Sequence, residues 1–239
     1  HPDTALTMAE LGVFLSGRGR LAEAEPLLGR AAEVYRDRFG PAHPFHVRLV
    51  TALAGVFTAR GAHRSAESLL RGVIAERGSD LTGGEDLARV YTDLAWLLFP
   101  RARFGDLAET REFFERALIL WEANRGPHSA EYAGALDGLA RTLGESARGD
   151  EALLDEAERL QQRVLDIRLR LFGTLHEEVA AAVFQLSVLA GTRRQWPRAE
   201  ELARRTLAEA THLAGPDSPL ALNAALQLAV SLRALGRPE

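Results

Sequence analysis

The chain contains no cysteine and no lysine. Without a thiol there is no disulfide framework, no thiolate metal site and no cysteine nucleophile. Without lysine a phosphate-cradling loop of the GxxxxGK[ST] kind is excluded, and all 29 basic residues are arginine, a bias that a GC-rich coding sequence explains. Long hydrophobic runs are also missing: none approaches the roughly 18 to 20 residues that cross a bilayer, so no membrane partner is expected. The opening His1-Pro2-Asp3 resembles neither a signal peptide nor a natural start, and reads as the cut edge of a fragment. A cytoplasmic location agrees with these absences. A strong charge of either sign is lacking too. The net charge of −4 and pI near 6.0 argue against nucleic acid as the main partner, because phosphate neutralisation needs a basic face.

What is present is repetition. Among 239 residues, 46% apolar and 26% charged, one punctuation mark recurs. It is clearest at Gly40-Pro41-Ala42-His43-Pro44, Gly173-Thr174-Leu175-His176-Glu177 and Gly215-Pro216-Asp217-Ser218-Pro219. His1-Pro2-Asp3 is the same mark without its front, Gly126-Pro127-His128-Ser129-Ala130 a weaker copy and Gly83-Gly84-Glu85 a degenerate one. Glycine ends a helix in the left-handed region, proline cannot continue it, and His or Ser caps the next. The marks recur about every 42 residues. Between them apolar residues run at helical spacing on either side of a short turn such as Gly17-Arg18-Gly19-Arg20. The expected organisation is one array: repeats at 1–42, 43–83, 84–127, 128–174 and 175–216, then the first helix of a sixth at 217–239.

Small residues hold register. Gly12, Ala54, Ala95, Ala140, Ser187 and Ala229 each follow a leucine in the first helix, and Ala24, Ala66, Thr110, Ala157 and Ala199 recur in the second. A small side chain at a crossing lets two helix backbones approach closely. The Leu-small pair, the turn glycine and the stretch Ala24-Glu25-Pro26-Leu27-Leu28-Gly29-Arg30-Ala31 resemble tetratricopeptide repeats. The linker and the long period are similar to the variety found in kinesin light chains and many bacterial signalling proteins. HEAT and armadillo repeats share the period but lack this register and linker. The resemblance covers essentially the whole chain and implies an all-α, right-handed α-α superhelix of five helix-turn-helix repeats plus one helix. Two departures stand out. Insertions around Phe99-Pro100-Arg101-Ala102 and from Arg148 to Leu153 are expected to protrude at the inter-helix corners. The paired asparagines usual in kinesin light chains are replaced, for example by Thr92-Asp93 and Asp137-Gly138, so that family's cargo specificity does not carry over.

Candidate chemistry is sparse. His43 and His46 have the i, i+3 spacing of a metal pair, but His1, His43 and His176 share one place in three repeats that Ser129 and Ser218 take in two others, which makes it a helix cap. No GxSxG or GxGxxG is present, and no Ser, His and acid are marked for convergence. No catalytic residue, no metal site and no cofactor is therefore expected. The first helices of stacked hairpins line the concave wall, and by register this wall carries Arg48, Arg89, Thr92, Asp93, Trp96, Asp137, Arg141, Phe184 and Asn223. Arg48, Arg89 and Arg141 beside Trp96 suit an extended peptide with carboxylates and an apolar anchor; alternatively, the arginines pair with Asp93 and Asp137. Gly55, Gly134 and Gly144 would widen the groove. The helix within 217–235, apolar nearly all round, calls for further repeats or self-association. Two functions remain open: a protein- or peptide-binding scaffold, or a ligand-sensing regulatory module of a larger bacterial signalling or defence protein, for example beside an NTPase or protease-like domain.

Overall fold

A computed structural model describes residues 2–77, 84–102 and 107–237. Its elements are all helices: α1 Pro2–Gly17, α2 Leu21–Phe39, α3 Pro44–Ala59, α4 His63–Arg77, α5 Glu85–Ala102, α6 Ala108–Arg125, α7 Ala130–Ser146, α8 Glu151–Phe172, α9 Glu177–Thr192, α10 Trp196–Ala214 and α11 Pro219–Ala234. They form five antiparallel hairpins and one further helix, with no strand among the described residues.

The punctuation acts as the chemistry of glycine and of caps requires. Gly40, Gly126, Gly173 and Gly215 adopt φ of 86°, 82°, 78° and 88°. Behind them the next helix is capped by a side chain. His43 Nδ1 accepts from the Phe45 N–H at 3.2 Å, Ser129 Oγ from Tyr132 at 3.2 Å, His176 Nδ1 from Glu178 at 3.2 Å and Ser218 Oγ from Ala221 at 3.3 Å. Each cap satisfies a donor the helix cannot, an effect of about 1 kcal/mol where the cap is serine. His1, expected in the same role, lies outside the described residues. His46 is buried with Nδ1 2.9 Å from the Ala32 carbonyl, which ties α3 to α2.

Three of the turns within hairpins, and the turn after α11, share one closure. Arg20 N–H donates to Leu15 O at 2.9 Å, Ala62 to Phe57 at 2.8 Å, Gln195 to Ala190 at 2.9 Å, and beyond α11 Arg237 to Leu232 at 2.9 Å. This is the six-to-one bond of a Schellman turn, with a left-handed residue just before the donor. Glycine fills that place at 19, 61 and 236, but Arg194 fills it with φ of 57°. By its terminating turn α11 is a first helix like α1, α3 and α9.

Two compact units result, His1–Asn124 and Arg125–Glu239. In the first, α5 is the centre. Leu87, Ala88, Val90, Tyr91, Leu94 and Ala95 are fully buried, as is Phe114 of α6. Tyr91 stacks on Phe113, and Trp121 Nε1 donates to Thr92 Oγ1 at 3.0 Å. In the second unit, Ala135 and Ala140 of α7, Val164 of α8, and Val179, Ala180 and Val183 of α9 form the core. Burial of such side chains contributes about 25 cal/mol per Å² of apolar surface removed from water.

The small-residue register is a packing requirement. A Cβ on Gly12 would lie 2.8 Å from Leu28 Cγ, and Ala24, Ala66, Ala157 and Ala199 are fully buried. Gly144 belongs to this set rather than to a widened groove: its Cβ would meet Leu189 Cδ2 at 2.9 Å, so it lets α7 and α9 approach. Gly55 and Gly134 have open space at the Cβ position.

The insertions are absorbed differently from the expectation. Residues 99–102 continue α5 rather than protrude, with Pro100 inside the helix and Phe99 buried against Trp96 at a ring distance of 5.9 Å. Burial of the phenyl ring outweighs the turn. The second insertion makes a turn at 147–150, where Gly149 has φ of 97°, and lengthens α8, which Asp150 caps by accepting from Ala152 and Leu153.

Successive repeats are also strapped by arginine. Arg60 reaches Glu25, Arg101 reaches Glu67 at 2.8 Å, Arg193 reaches Glu158 at 2.7 Å and Arg237 reaches Glu200 at 3.1 Å. In each case an arginine at or just beyond the end of a first helix meets the glutamate of the Ala-Glu pair in the preceding second helix. In α6 that place holds Arg111, which bonds Glu115 on its own helix.

Candidate partner-binding face

Within the first unit, α3 packs against both α1 and α5 as well as against its hairpin partner. First helices of successive repeats therefore lie side by side, and their free faces form one wall. Two cavities open on it. One, of about 700 Å³, is bounded by Leu6, Ala9, Glu10, Val13 and Phe14 of α1, Phe45, Arg48, Leu49, Thr51 and Ala52 of α3, and Arg89 and Asp93 of α5. The other, of about 400 Å³, is bounded by Ala54, Gly55, Thr58 and Ala59 of α3, Leu70 of α4, and Asp93, Trp96 and Leu97 of α5.

The first cavity is apolar at its α1 side. Leu6, Val13 and Phe14 stand 42%, 54% and 57% exposed, which is unusual for three large apolar residues in a row on one wall. Its arginines are exposed and rest on rings, Arg48 at 5.7 Å from the Phe45 centroid and Arg89 at 5.7 Å from that of Trp121. Both act electrostatically on Asp86 at the start of α5. Burial nonetheless pushes the Asp86 carboxyl above its usual range.

Asp93 lines both cavities. Loss of hydration pushes its carboxyl up to about 6, and Arg89 one turn earlier only partly offsets this. The i, i+4 spacing would allow an Arg89–Asp93 ion pair, yet Arg89 lies over the Trp121 ring. Among the described residues nothing donates to the Asp93 carboxylate. Trp96 is half-buried, edge-on to Phe99 and to Phe114 at 5.2 Å, and contributes to the wall of the second cavity.

The remaining expected groove residues divide. Thr92 turns away from the wall: its hydroxyl donates to Ala88 O at 2.8 Å and accepts from Trp121, so it secures α6. In the second unit Asp137 of α7 is buried, 4.0 Å from Arg141. Burial raises its carboxyl, opposed by Arg168, Arg141 and Gln161, and Oδ1 has no hydrogen-bond partner among the described residues. This contact lies within α7, one turn apart, rather than between neighbouring helices. Phe184 of α9 is half-buried and Asn223 of α11 is exposed. Arg48 and Arg89 share a cavity, while Arg141 belongs to the other unit. Glu10, Phe14, Phe45, Leu49 and Ala52 line the first cavity without having been expected there. Among the described residues no three metal-ligating side chains cluster, and no helix is long and apolar enough to cross a membrane.

The model of the tetratricopeptide repeat family matches residues 3–75, the first hairpin and nearly all of the second. The structure continues that hairpin unit through to α11. Over residues 3–75 the chain matches tetratricopeptide repeats. Its fold is similar to that of solved tetratricopeptide-repeat structures, among them kinesin-light-chain-like ones. BtubC (BKLC) from P. vanneervenii is 25% identical with a TM-score of 0.68, the match covering 91% of this chain and 85% of that one. A kinesin-light-chain TPR-like repeat protein of Podosopora anserina is 20% identical with a TM-score of 0.69, covering 89% and 97%. YrrB, a TPR protein with an unusual peptide-binding site, is 17% identical with a TM-score of 0.52, covering 93% and 92%. A search of curated proteins finds no significant match. Tetratricopeptide repeats generally serve as protein-interaction scaffolds.

Proposed function

We propose that this tetratricopeptide array is a non-catalytic scaffold that holds an extended peptide segment of another protein against the wall formed by α1, α3 and α5. The observation that carries this is the 700 Å³ cavity, which sets exposed Leu6, Val13 and Phe14 opposite two exposed arginines. Apolar surface of this kind gains by being covered. Arg48 and Arg89 offer forked donors to carboxylates of the segment, and arginine is a frequent hot spot. Aromatic support fixes both guanidinium groups, so little rotamer freedom is lost on binding.

Selection of a displayed random-peptide library on the immobilised protein tests this reading. Selected peptides are expected to lose affinity for Ala52→Trp, whose indole fills the cavity, and for Val13→Asp, at a position exposed enough to keep the fold. Circular dichroism checks that both variants remain helical. Peptides that bind both variants as well as the parent chain would sink the assignment of the face.

A further inference from the structure

The charges along the wall are unevenly placed. The first cavity mixes signs, with Glu10 and Asp93 against Arg48 and Arg89. Among the described residues the second has a single charged lining residue, Asp93, and no basic one. Trp96, three residues further along α5, shares that cavity with it. The Thr58 hydroxyl is committed to Ala54 O at 2.9 Å and donates nothing to the carboxylate. Gly55 leaves the α3 side open, with no atom within 4 Å of where its Cβ would be. Asp93 is half-buried, and a carboxylate that loses hydration is ordinarily paired or hydrogen-bonded, because desolvation of an uncompensated charge is expensive. Among the described residues only Arg89 offsets this charge, and none donates a hydrogen bond to it, while about 400 Å³ of space lies beside the carboxylate.

We propose that the second cavity is a pocket for a lysine or arginine side chain of the bound peptide, with Asp93 as its counter-ion. The inference rests on the peptide-binding reading of the wall and adds a residue class to it. The incoming cation accomplishes three things at once. Its charge compensates the desolvated carboxylate, its alkyl stem covers Leu70, Leu97 and Ala54, and its head lies beside the Trp96 indole, an arrangement favourable to cations. The same peptide carries its apolar and acidic side chains toward the first cavity, so it is read in a fixed direction from α5 to α1. The charged groups near Asp93 are Arg89 on its own helix, Arg48 on α3 and Glu10 on α1; α4 contributes only Leu70 to this pocket.

The test selects the same random-peptide library in parallel on the parent chain, on Asp93→Asn and on Gly55→Leu. Asparagine removes the charge at constant shape. Leucine grows into open space from an exposed helical position and blocks the pocket without a clash. Peptides from the parent chain are expected to carry lysine or arginine at a fixed distance from an aliphatic or aromatic residue. Their affinity for Asp93→Asn should fall at least about tenfold, as when one member of a desolvated charge pair is removed. Binding to the parent chain should weaken as pH falls through about 6, where Asp93 takes up its proton, and this dependence should vanish in Asp93→Asn but persist in Glu10→Gln. Peptides without a basic residue, or with equal affinity for parent chain and Asp93→Asn, overturn the pocket assignment while leaving the wall intact if Ala52→Trp still blocks them. Peptides indifferent to Ala52→Trp, or a library that yields no binder, overturn the underlying reading of the wall.

Discussion

Asp93→Asn is expected to stabilise the free protein at neutral pH. The Asp93 carboxyl titrates at about 6 in the fold, against an ordinary value of 3.8, because burial disfavours its charged form. The folded chain therefore binds more protons than the unfolded one between about pH 4 and pH 6, and stability falls as pH rises through that window. Lifting a carboxyl from 3.8 to about 6 costs its charged form about 3 kcal/mol. Above the folded value the whole of that penalty is present, and below the unfolded value none is. Asparagine imitates the protonated carboxyl, so the variant should gain up to about 3 kcal/mol at pH 7 and almost nothing at pH 4. Urea unfolding followed by far-ultraviolet circular dichroism, run on both chains across that range, reads the difference as a pH-dependent gap between midpoints. Equal midpoints at every pH would mean that water solvates the carboxylate after all. A variant less stable at neutral pH would mean that the carboxylate makes a stabilising bond, and the reasoning would fail.

Other perturbations have definite outcomes. Thr92→Val leaves the Trp121 indole N–H without its 3.0 Å acceptor inside the α5–α6 contact, and should cost about 1 to 3 kcal/mol in urea unfolding. Arg194→Gly relieves a left-handed arginine where the matching turns have glycine, and should raise stability by about 1 kcal/mol; an unchanged or lower midpoint would show that the arginine is held there by other contacts. Leu226 on α11 is 66% exposed, so Leu226→Glu should leave stability within about 0.5 kcal/mol. The concentration dependence of sedimentation expected from the apolar face of Leu222, Leu226 and Val230 should disappear in that variant.

The hairpins were legible because their determinants are local. A glycine that must adopt positive φ, a cap two or three residues before the N–H it accepts from, and a small residue at a crossing all leave their mark within a few positions of where they act. The wall was only half legible. Arg48, Arg89, Asp93 and Trp96 stand on it, but the side chain of a helical residue covers surface to one side of its own backbone position. Register alone therefore could not separate Thr92, which faces α6, from its neighbour Asp93, which faces the cavities. The straps from Arg60, Arg101, Arg193 and Arg237 were invisible to periodicity. Their partners lie about 35 residues away, each in a different helix, and only the packed repeats bring them together. Phe99 misled for a related reason: an insertion suggests a loop, yet an aromatic ring that can reach Trp96 is better buried by one more turn of helix.

The arginine forks have a practical consequence. Arg193 holds Glu151, Asp155 and Glu158 with one guanidinium, and Arg71 joins Glu67 at 3.0 Å to Glu109 at 2.8 Å. A single ammonium lacks the planar set of donors for such bridging. None of the side chains that tie these helices together is an amine, so acylating reagents can be applied to the folded protein without loosening its straps. In a complex, every modified lysine would then report on the guest. A lysine seated beside Asp93 would betray itself by failing to react, a footprint read against a host that contributes no lysine signal of its own.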